Sequence, residues 1–259
     1  RAIAVVGATP DAGRPGNLVI QALSDHGYAG DIFPVNPKYD RIGERACHAK
    51  ATAIGRACDL AIITLPAAAA VDAARDCAAA GIRFAIVYAG GFRETGAAGR
   101  ARERELLDAA RSGGMRVIGP NCLGVVNVTD GICSAFGGMA RPPRLAPGSV
   151  SMVFQSGGFG YSMTLRSFAA GAGVRHLAST GNELDITTPE IMQAYVDDPG
   201  TRVILAYIEG VSDGRALMAV GEQALRAGKP ILLWKAGNSN EGRRAAASHT
   251  GNMTGDYDI

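Results

Sequence analysis

His249 lies in "AAASHTGNMTG", residues 245 to 255, with Ala245 to Ala247 on one side and Gly251 and Gly255 on the other. Little side-chain bulk and a permissive backbone suit a swinging carrier better than a fixed ligand. An imidazole with a pKa near ~6.5 offers a neutral nucleophilic nitrogen at physiological pH, and a phosphoryl group held on nitrogen is labile enough to be passed on. If one ring nitrogen is to attack, the other needs a partner that fixes its tautomer, preferably a carboxylate at a strand end. Glu209, closing the apolar run "VILAYIEG", is the candidate. A phosphorylated ring also needs an anion site. Gln155-Ser156-Gly157-Gly158-Phe159 has the pattern of a strand, a serine, two glycines and a helix start, so Ser156, Gly157 and Gly158 would present N-terminal N–H groups to a phosphate. The rival reading of His249 is an exposed loop histidine without chemistry. His26, His48 and His176 have no comparable setting, and histidines without HxH or HxxxH spacing predict no metal site.

A second candidate follows the first apolar run: Gly7-Ala8-Thr9-Pro10-Asp11-Ala12-Gly13-Arg14-Pro15-Gly16-Asn17. A glycine-rich turn between a first strand and a helix lets backbone N–H groups approach a diphosphate closely. The spacing is not GxGxxG, and the acid expected ~20 residues later for a ribose hydroxyl is missing, which argues against a dinucleotide-dependent dehydrogenase. The next strand ends instead in Pro34-Val35-Asn36-Pro37-Lys38, whose lysine suits an additional phosphate, such as that on the 3′-phospho-ADP half of coenzyme A. Glycines serving only as tight turns, with a surface lysine, remain the alternative.

The elements that must position these groups read as a βαβ rhythm. "AIAVVG", "DIFPVN", "DLAIITLP", "FAIVYAG" and "RVIGPN" are short apolar runs separated by helical stretches at 66–81 and 97–113. Strands apolar at consecutive positions imply burial on both faces, hence a parallel sheet under helices. The helix predicted over 96–112 carries Leu106, Leu107 and Ala110 on a buried stripe and its charges on a solvated face. The rhythm breaks at "MARPPRLAPGSV", residues 139 to 150. A second series follows, with helices predicted over 158–170, 189–196 and 213–227 between the strands "SVSMVFQ", "VRHLASTGN", "RVILAYIEG" and "PILLWKAG". The expected division is therefore a first α/β domain over 1–138, a linker over 139–149 and a second doubly wound domain over 150–259.

Composition narrows the setting. The 259 residues are 47% apolar, enough for two ordinary domains, and no apolar run approaches the ~18 to 20 residues of a membrane helix. The opening "RAIAVVGATP" reads as a core strand rather than a signal peptide, and both chain ends look trimmed, so flanking segments are expected. A net charge of +2 with scattered signs gives nucleic acid no basic stripe. Five cysteines with no CxxC pair fit reduced thiols in the cytoplasm.

Eight segments in register, "AVVGATPDAGRPG", "FPVNPKYD", "YAGGFRETG", "GPNCLGVVN", "FQSGGFG", "STGNELDIT", "YIEGVSDGR" and "KAGNSNEGRRAAASHTGNMTG", resemble the NDP-forming acyl-CoA synthetase superfamily. The likeness is greatest to ADP-forming acetyl-CoA synthetases and more distant to the succinyl-CoA synthetase alpha subunit. It implies a Rossmann-like CoA-binding domain followed by a flavodoxin-like domain, incomplete at its C-terminus. It carries Gly7, Thr9, Gly13, Gly16 and Asn17 to the phosphate loop and Lys38 to a coenzyme A phosphate. Pro66, Ala89, Gly90, Pro120 and Asn121 would line the rest of the site. Cys122 would fall near the arriving thiol, although a small buried hydrophobe is its plainer reading. His249 matches the phosphohistidine, Glu209 its orienting glutamate, and Ser156 to Gly158 the helix start that receives phosphate. Gly181 to Asp185 match a loop beside that site, with no role assigned to Glu183 or Asp185. The implied activity is acid–CoA ligation through an acyl phosphate. ATP/ADP with Mg2+ would sit on an ATP-grasp domain or subunit absent from these residues, a small carboxylic acid and CoA would be the substrates, and an oligomer is expected. The alternative is a CoA-binding regulatory module, which would need neither His249 nor Glu209. Phe154, Gly158, Asn252 and Met253 depart from commoner forms of these segments.

Overall fold

A computed structural model describes residues 1–135 and 145–237. The chain begins with β1 (Ala2–Val6), five buried apolar residues, and α1 (Pro15–Asp25), which starts on a proline whose missing N–H costs a first turn nothing. β2 (Asp31–Val35) is followed by a small hairpin, β3 (Arg41–Ile42) and β4 (Arg45–Ala46). Then come β5 (Leu60–Ile63), α2 (Ala67–Ala79), β6 (Phe84–Val87), α3 (Ala97–Arg111) and β7 (Arg116–Ile118). The sheet runs β2-β1-β5-β6-β7, all parallel. Alternate residues of β1 feed different cores: Ala2, Ala4 and Val6 pack with α2 and α3, while Ile3 and Val5 pack with Val19, Ile20 and Leu23 of α1. That division across a pleated strand is what a sheet covered on both faces requires. On α3, Leu106 and Ala110 are buried as expected and Leu107 is half-buried. Glu103, counted with the solvated charges of that helix, is also buried.

The second sheet begins earlier than the proline-rich break suggested. β8 (Gly124–Asn127) and β9 (Ile132–Cys133) form an antiparallel pair, and β8 hydrogen-bonds antiparallel to a strand of the second unit. That unit contains β10 (Pro147–Phe154), α4 (Gly157–Ala169), β11 (Val174–Ser179), α5 (Thr188–Asp197), β12 (Val203–Ile208), α6 (Gly214–Arg226) and β13 (Ile231–Lys235). Its order is β13-β12-β10-β11-β8-β9. Residues 124–133, drawn with the first unit from sequence, thus cover the β11 edge, and β10 opens inside the stretch read as linker. The alternating burial of Gly124–Asn127 is that of a half-covered antiparallel strand, which a purely parallel reading does not anticipate.

The exposed edge of β7 is occupied from the other unit. Leu184 N–H donates to Gly119 O at 2.9 Å and Ile186 N–H to Val117 O at 3.0 Å. Between them Asp185 accepts from Val117 N–H at 2.9 Å and from Arg116 Nε at 2.7 Å. The loop after β11 therefore extends the first sheet's ladder and covers an edge otherwise open to pairing. Among the described residues no helix is long and apolar enough to cross a membrane.

Candidate functional site

Open α/β sheets bind ligands beyond the carboxyl ends of the strands, where the strand order reverses. In the second unit that point lies between β10 and β12. Gln155 and Ser156 follow β10, and Glu209 and Gly210 follow β12, so the sequence-predicted glutamate and helix start flank one crevice. Glu209 is only 4% exposed. Its backbone is pinned by Gln155, itself 1% exposed. Gln155 Oε1 accepts from Glu209 N–H at 2.5 Å and from Gly210 N–H at 3.1 Å, while Nε2 donates to Gly210 O at 2.6 Å and to Glu183 Oε1 at 3.0 Å. The amide can face only one way, because turning it over would set its oxygen against two acceptors.

Ser156 caps α4, its Oγ accepting from Phe159 N–H at a long 3.5 Å, and the first turn carries no acidic side chain. The N–H groups of a first turn have no intrahelical acceptor, and with the helix dipole behind them they favour an anion. The two glycines differ in purpose. A side chain on Gly157 would run into Leu123, whereas a Cβ on Gly158 would meet nothing within 4 Å.

Glu183, assigned no role from its residue type and position, is a hub. Its backbone is left-handed at φ 53°. Its Oε1 accepts from Gln155, from Thr180 Oγ1 at 2.8 Å, and from both the amide at 3.2 Å and the hydroxyl of Thr188. The available signal was local: an acid amid the threonines of "STGNELDITT", just past a strand end.

The first unit reverses between β1 and β5, and the glycine-rich loop lies there. Gly7 has φ 90°, a left-handed conformation that favours glycine, and its N–H donates to Val35 O at 2.9 Å. Gly16 sits against it. A Cβ there would stand 2.9 Å from the Gly7 carbonyl carbon and 3.0 Å from Ala8 Cα, and closer still to the Gly7 oxygen. Asn17 Nδ2 donates to Thr9 O at 3.0 Å, Thr9 Oγ1 accepts from Asp11 N–H at 3.3 Å, and Asp11 accepts from Gly13 N–H at 3.0 Å. Asn36 ties the next strand in by donating to Ala8 O at 2.7 Å, and its Oδ1 accepts from the backbone of exposed Lys38 at 3.0 Å. Pro66 opens α2 at the end of β5. Asn121 N–H donates to Ala89 O at 2.9 Å, bringing Ala89, Gly90, Pro120 and Asn121 to one rim; the Gly119–Pro120 peptide is cis. The loop fits a diphosphate-bearing ligand in that its turn admits no side chain at Gly16; Asn17 Oδ1, an acceptor buried without a hydrogen-bond partner among the described residues, calls for a donor and not for a phosphate oxygen. Cys122 is 3% exposed, and burial pushes its thiol up to about 12, so it behaves as the small hydrophobe of its plainer reading.

The two crevices meet through Asn182, fully buried between the units. Its Nδ2 donates to Glu94 at 2.7 Å and to Glu103 at 3.0 Å, its N–H to Pro120 O at 2.9 Å, and its Oδ1 accepts from Asn121 at 3.3 Å. Glu94 in turn accepts from Gly91 N–H and Phe92 N–H, and its carboxyl lies below the usual range because those bonds and Asn182 together outweigh burial. His249, the proposed carrier, lies outside the described residues.

Residues 1–128 match the family described as a CoA binding domain, and residues 147–259 the succinyl-CoA ligase like flavodoxin domain. The acetate–CoA ligase [ADP-forming] I of Archaeoglobus fulgidus is 35% identical over all of this chain and 37% of its own length. The acetate–CoA ligase [ADP-forming] I subunit alpha of Pyrococcus furiosus is 34% identical over 98% of this chain and 55% of its own. A solved structure of the Ca. Korarchaeum cryptofilum acetyl-coenzyme A synthetase 1, in complex with phosphate and ADP, superposes with a TM-score of 0.90 at 34% identity. It aligns over 98% of this chain and 54% of that one. The chain belongs to the NDP-forming acyl-CoA synthetase superfamily. It spans between a third and just over half of the length of these relatives. Both of its α/β units are those of the superfamily, the Rossmann-like one first and the flavodoxin-like one second.

Proposed function

We propose that this chain is the coenzyme A-binding and phosphoryl-carrying part of an NDP-forming acid–CoA ligase. The observation that carries the reading is the pairing, across one strand-order reversal, of buried Glu209 with the serine-capped start of α4. One group can orient an imidazole and the other can hold the phosphate that the imidazole carries. In the synthetic direction a nitrogen of His249 attacks the terminal phosphorus of a nucleoside triphosphate and the diphosphate leaves. A carboxylate oxygen then takes the phosphoryl group from the ring, giving an acyl phosphate and restoring neutral histidine. The CoA thiolate attacks the acyl carbon and inorganic phosphate departs. Glu209 accepts the proton-bearing ring nitrogen throughout, and Ser156, Gly157 and Gly158 receive the phosphate.

In the same reading Gly7, Thr9, Gly13, Gly16 and Asn17 hold the CoA diphosphate, Lys38 its remaining phosphate, and Pro66, Ala89, Gly90, Pro120 and Asn121 the arm leading to the thiol. Nucleotide with Mg2+ sits on an ATP-grasp domain or subunit; the alpha-subunit naming of the Pyrococcus furiosus relative supports a partner of that kind. Free thiols at Cys47, Cys58, Cys77, Cys122 and Cys133 support a cytoplasmic setting, and the working enzyme is an oligomer.

The test uses the complete enzyme with labelled nucleoside triphosphate. An acid-labile, base-stable phosphoenzyme forms, and His249→Asn abolishes it. Undiminished labelling of that variant removes the mechanism. A coupled assay over a panel of acids with ATP and GTP then identifies the substrate, with release of the diphosphate rather than AMP.

A further inference from the structure

We infer that Gln155, held by Glu183, is a positioning residue for Glu209; the inference rests on the phosphohistidine reading above. Three observations carry it. Gln155 commits its whole amide to the Glu209–Gly210 backbone and to Glu183, accepting two N–H groups and donating once to a carbonyl and once to a carboxylate. Its backbone N–H also donates across the reversal point, to Tyr207 O at 3.1 Å. The same residue thus bridges the ends of β10 and β12 through main chain and side chain, immediately before the serine that caps α4. Finally, Glu183 is itself fixed by Thr180 and Thr188, so it is a preset acceptor and not a mobile surface acid.

A carboxylate that must meet one nitrogen of a travelling ring needs a fixed origin, and a misplacement of about 1 Å at such a contact can cost ~10²-fold in rate. Gln155 supplies that origin without touching the reacting atoms. Gln155→Glu is close to isosteric but sets two carboxylates against each other and removes the donor to Gly210 O. Exchanging the pair, Gln155→Glu with Glu183→Gln, restores a donor opposite an acceptor at that contact, while the Gly210 carbonyl loses its donor and the Thr188 N–H loses the acceptor that Glu183 Oε1 supplies.

The experiment is single-turnover phosphorylation of His249 in the complete enzyme from labelled nucleoside triphosphate, with CoA affinity and melting temperature measured in parallel. Gln155→Glu should lower the phosphorylation rate constant by about ten- to a hundredfold with half-saturating nucleotide and CoA unchanged. The exchanged pair should recover part of the loss. In a Glu209→Gln background Gln155→Glu should add nothing further, which a general weakening of the fold would not mimic. A wild-type rate in Gln155→Glu, or a full additional loss in the Glu209→Gln background, overturns the positioning role while leaving phosphohistidine chemistry intact. If Gln155→Glu does not fold, the exchanged pair decides the question alone: a folded pair that phosphorylates at less than a hundredth of the wild-type rate counts against the inference. Wild-type enzyme that never labels on His249 removes both this inference and the reading beneath it.

Discussion

Gly16→Ala and Gly158→Ala place the same methyl in the first turn of a helix behind a strand, in opposite surroundings. At Gly16 the new carbon would lie 2.9 Å from the Gly7 carbonyl carbon and 3.0 Å from Ala8 Cα, which are backbone atoms that cannot rotate away. Relief to an ordinary ~3.5 Å or more requires α1 or the loop to retreat by at least about half an ångström; overpacking of this kind costs roughly 1–3 kcal/mol. Contact with unyielding backbone puts this overpacking in the upper part of that range, about 2–3 kcal/mol, and the helix-propensity gain of Gly→Ala returns up to ~1 kcal/mol, leaving a net loss of about 1–2 kcal/mol. At Gly158 nothing lies within 4 Å, so only the gain applies. With about 2–4 °C per kcal/mol for a protein of this size, Gly16→Ala should melt roughly 2–8 °C lower and Gly158→Ala a few degrees higher. Thermal unfolding monitored by circular dichroism reads both. Calorimetric titration with CoA should show weakened binding in Gly16→Ala alone, because the displaced turn is the one that would cradle the diphosphate. Melting shifts of the same sign in the two variants would refute the close-approach reasoning, and unchanged CoA affinity in Gly16→Ala would remove the loop from the binding site.

Two further outcomes follow from titrating groups. Burial raises the Cys122 thiol to about 12, leaving only ~10⁻⁴ as thiolate at about pH 8, so iodoacetamide should modify half-exposed Cys47 first and spare Cys122 until the protein unfolds; early Cys122 alkylation, read by peptide mass mapping, would contradict its burial. Hydrogen bonding from Arg175, with Thr201 adding to it, outweighs burial and holds the Asp198 carboxyl well below the ordinary carboxylate range. A depressed folded-state pKa gives stability that is present above the unfolded value of ~3.9 and lost as pH falls through the folded one. Arg175→Ala should therefore lower the melting temperature most near neutrality, with the gap to wild type narrowing below about pH 4; a gap constant down to acid pH would contradict it.

Much of the architecture could be read from periodicity. The helices expected over 158–170, 189–196 and 213–227 appear as Gly157–Ala169, Thr188–Asp197 and Gly214–Arg226, because each is framed by a local signal: a serine cap, a capping box at Thr187, and an aspartate cap. The pairing of β8 with β11 is not legible along the chain, because the partner strand lies some fifty residues on and nothing near residue 124 announces it. The site divides similarly. Glu209 and Ser156 stand at strand ends, where apolar runs stop, and that is visible along the chain. The Gln155 clamp and the Asn182 junction exist through contacts 28 to 88 positions apart, and the Glu183 hub ties its neighbouring threonines to Gln155 28 positions away, so residue type alone leaves them indistinguishable from ordinary loop polarity.

The strand-like run of Leu184 and Ile186 along β7 has a consequence for engineering and for descent. Grafting a foreign first unit onto this second one, to change which thiol carrier is admitted, would reset the gap between the two crevices unless the graft kept the carbonyls of Val117 and Gly119 and the Arg116 guanidinium in place. A chimera lacking them should bind both ligands separately yet fail to hand anything from one to the other.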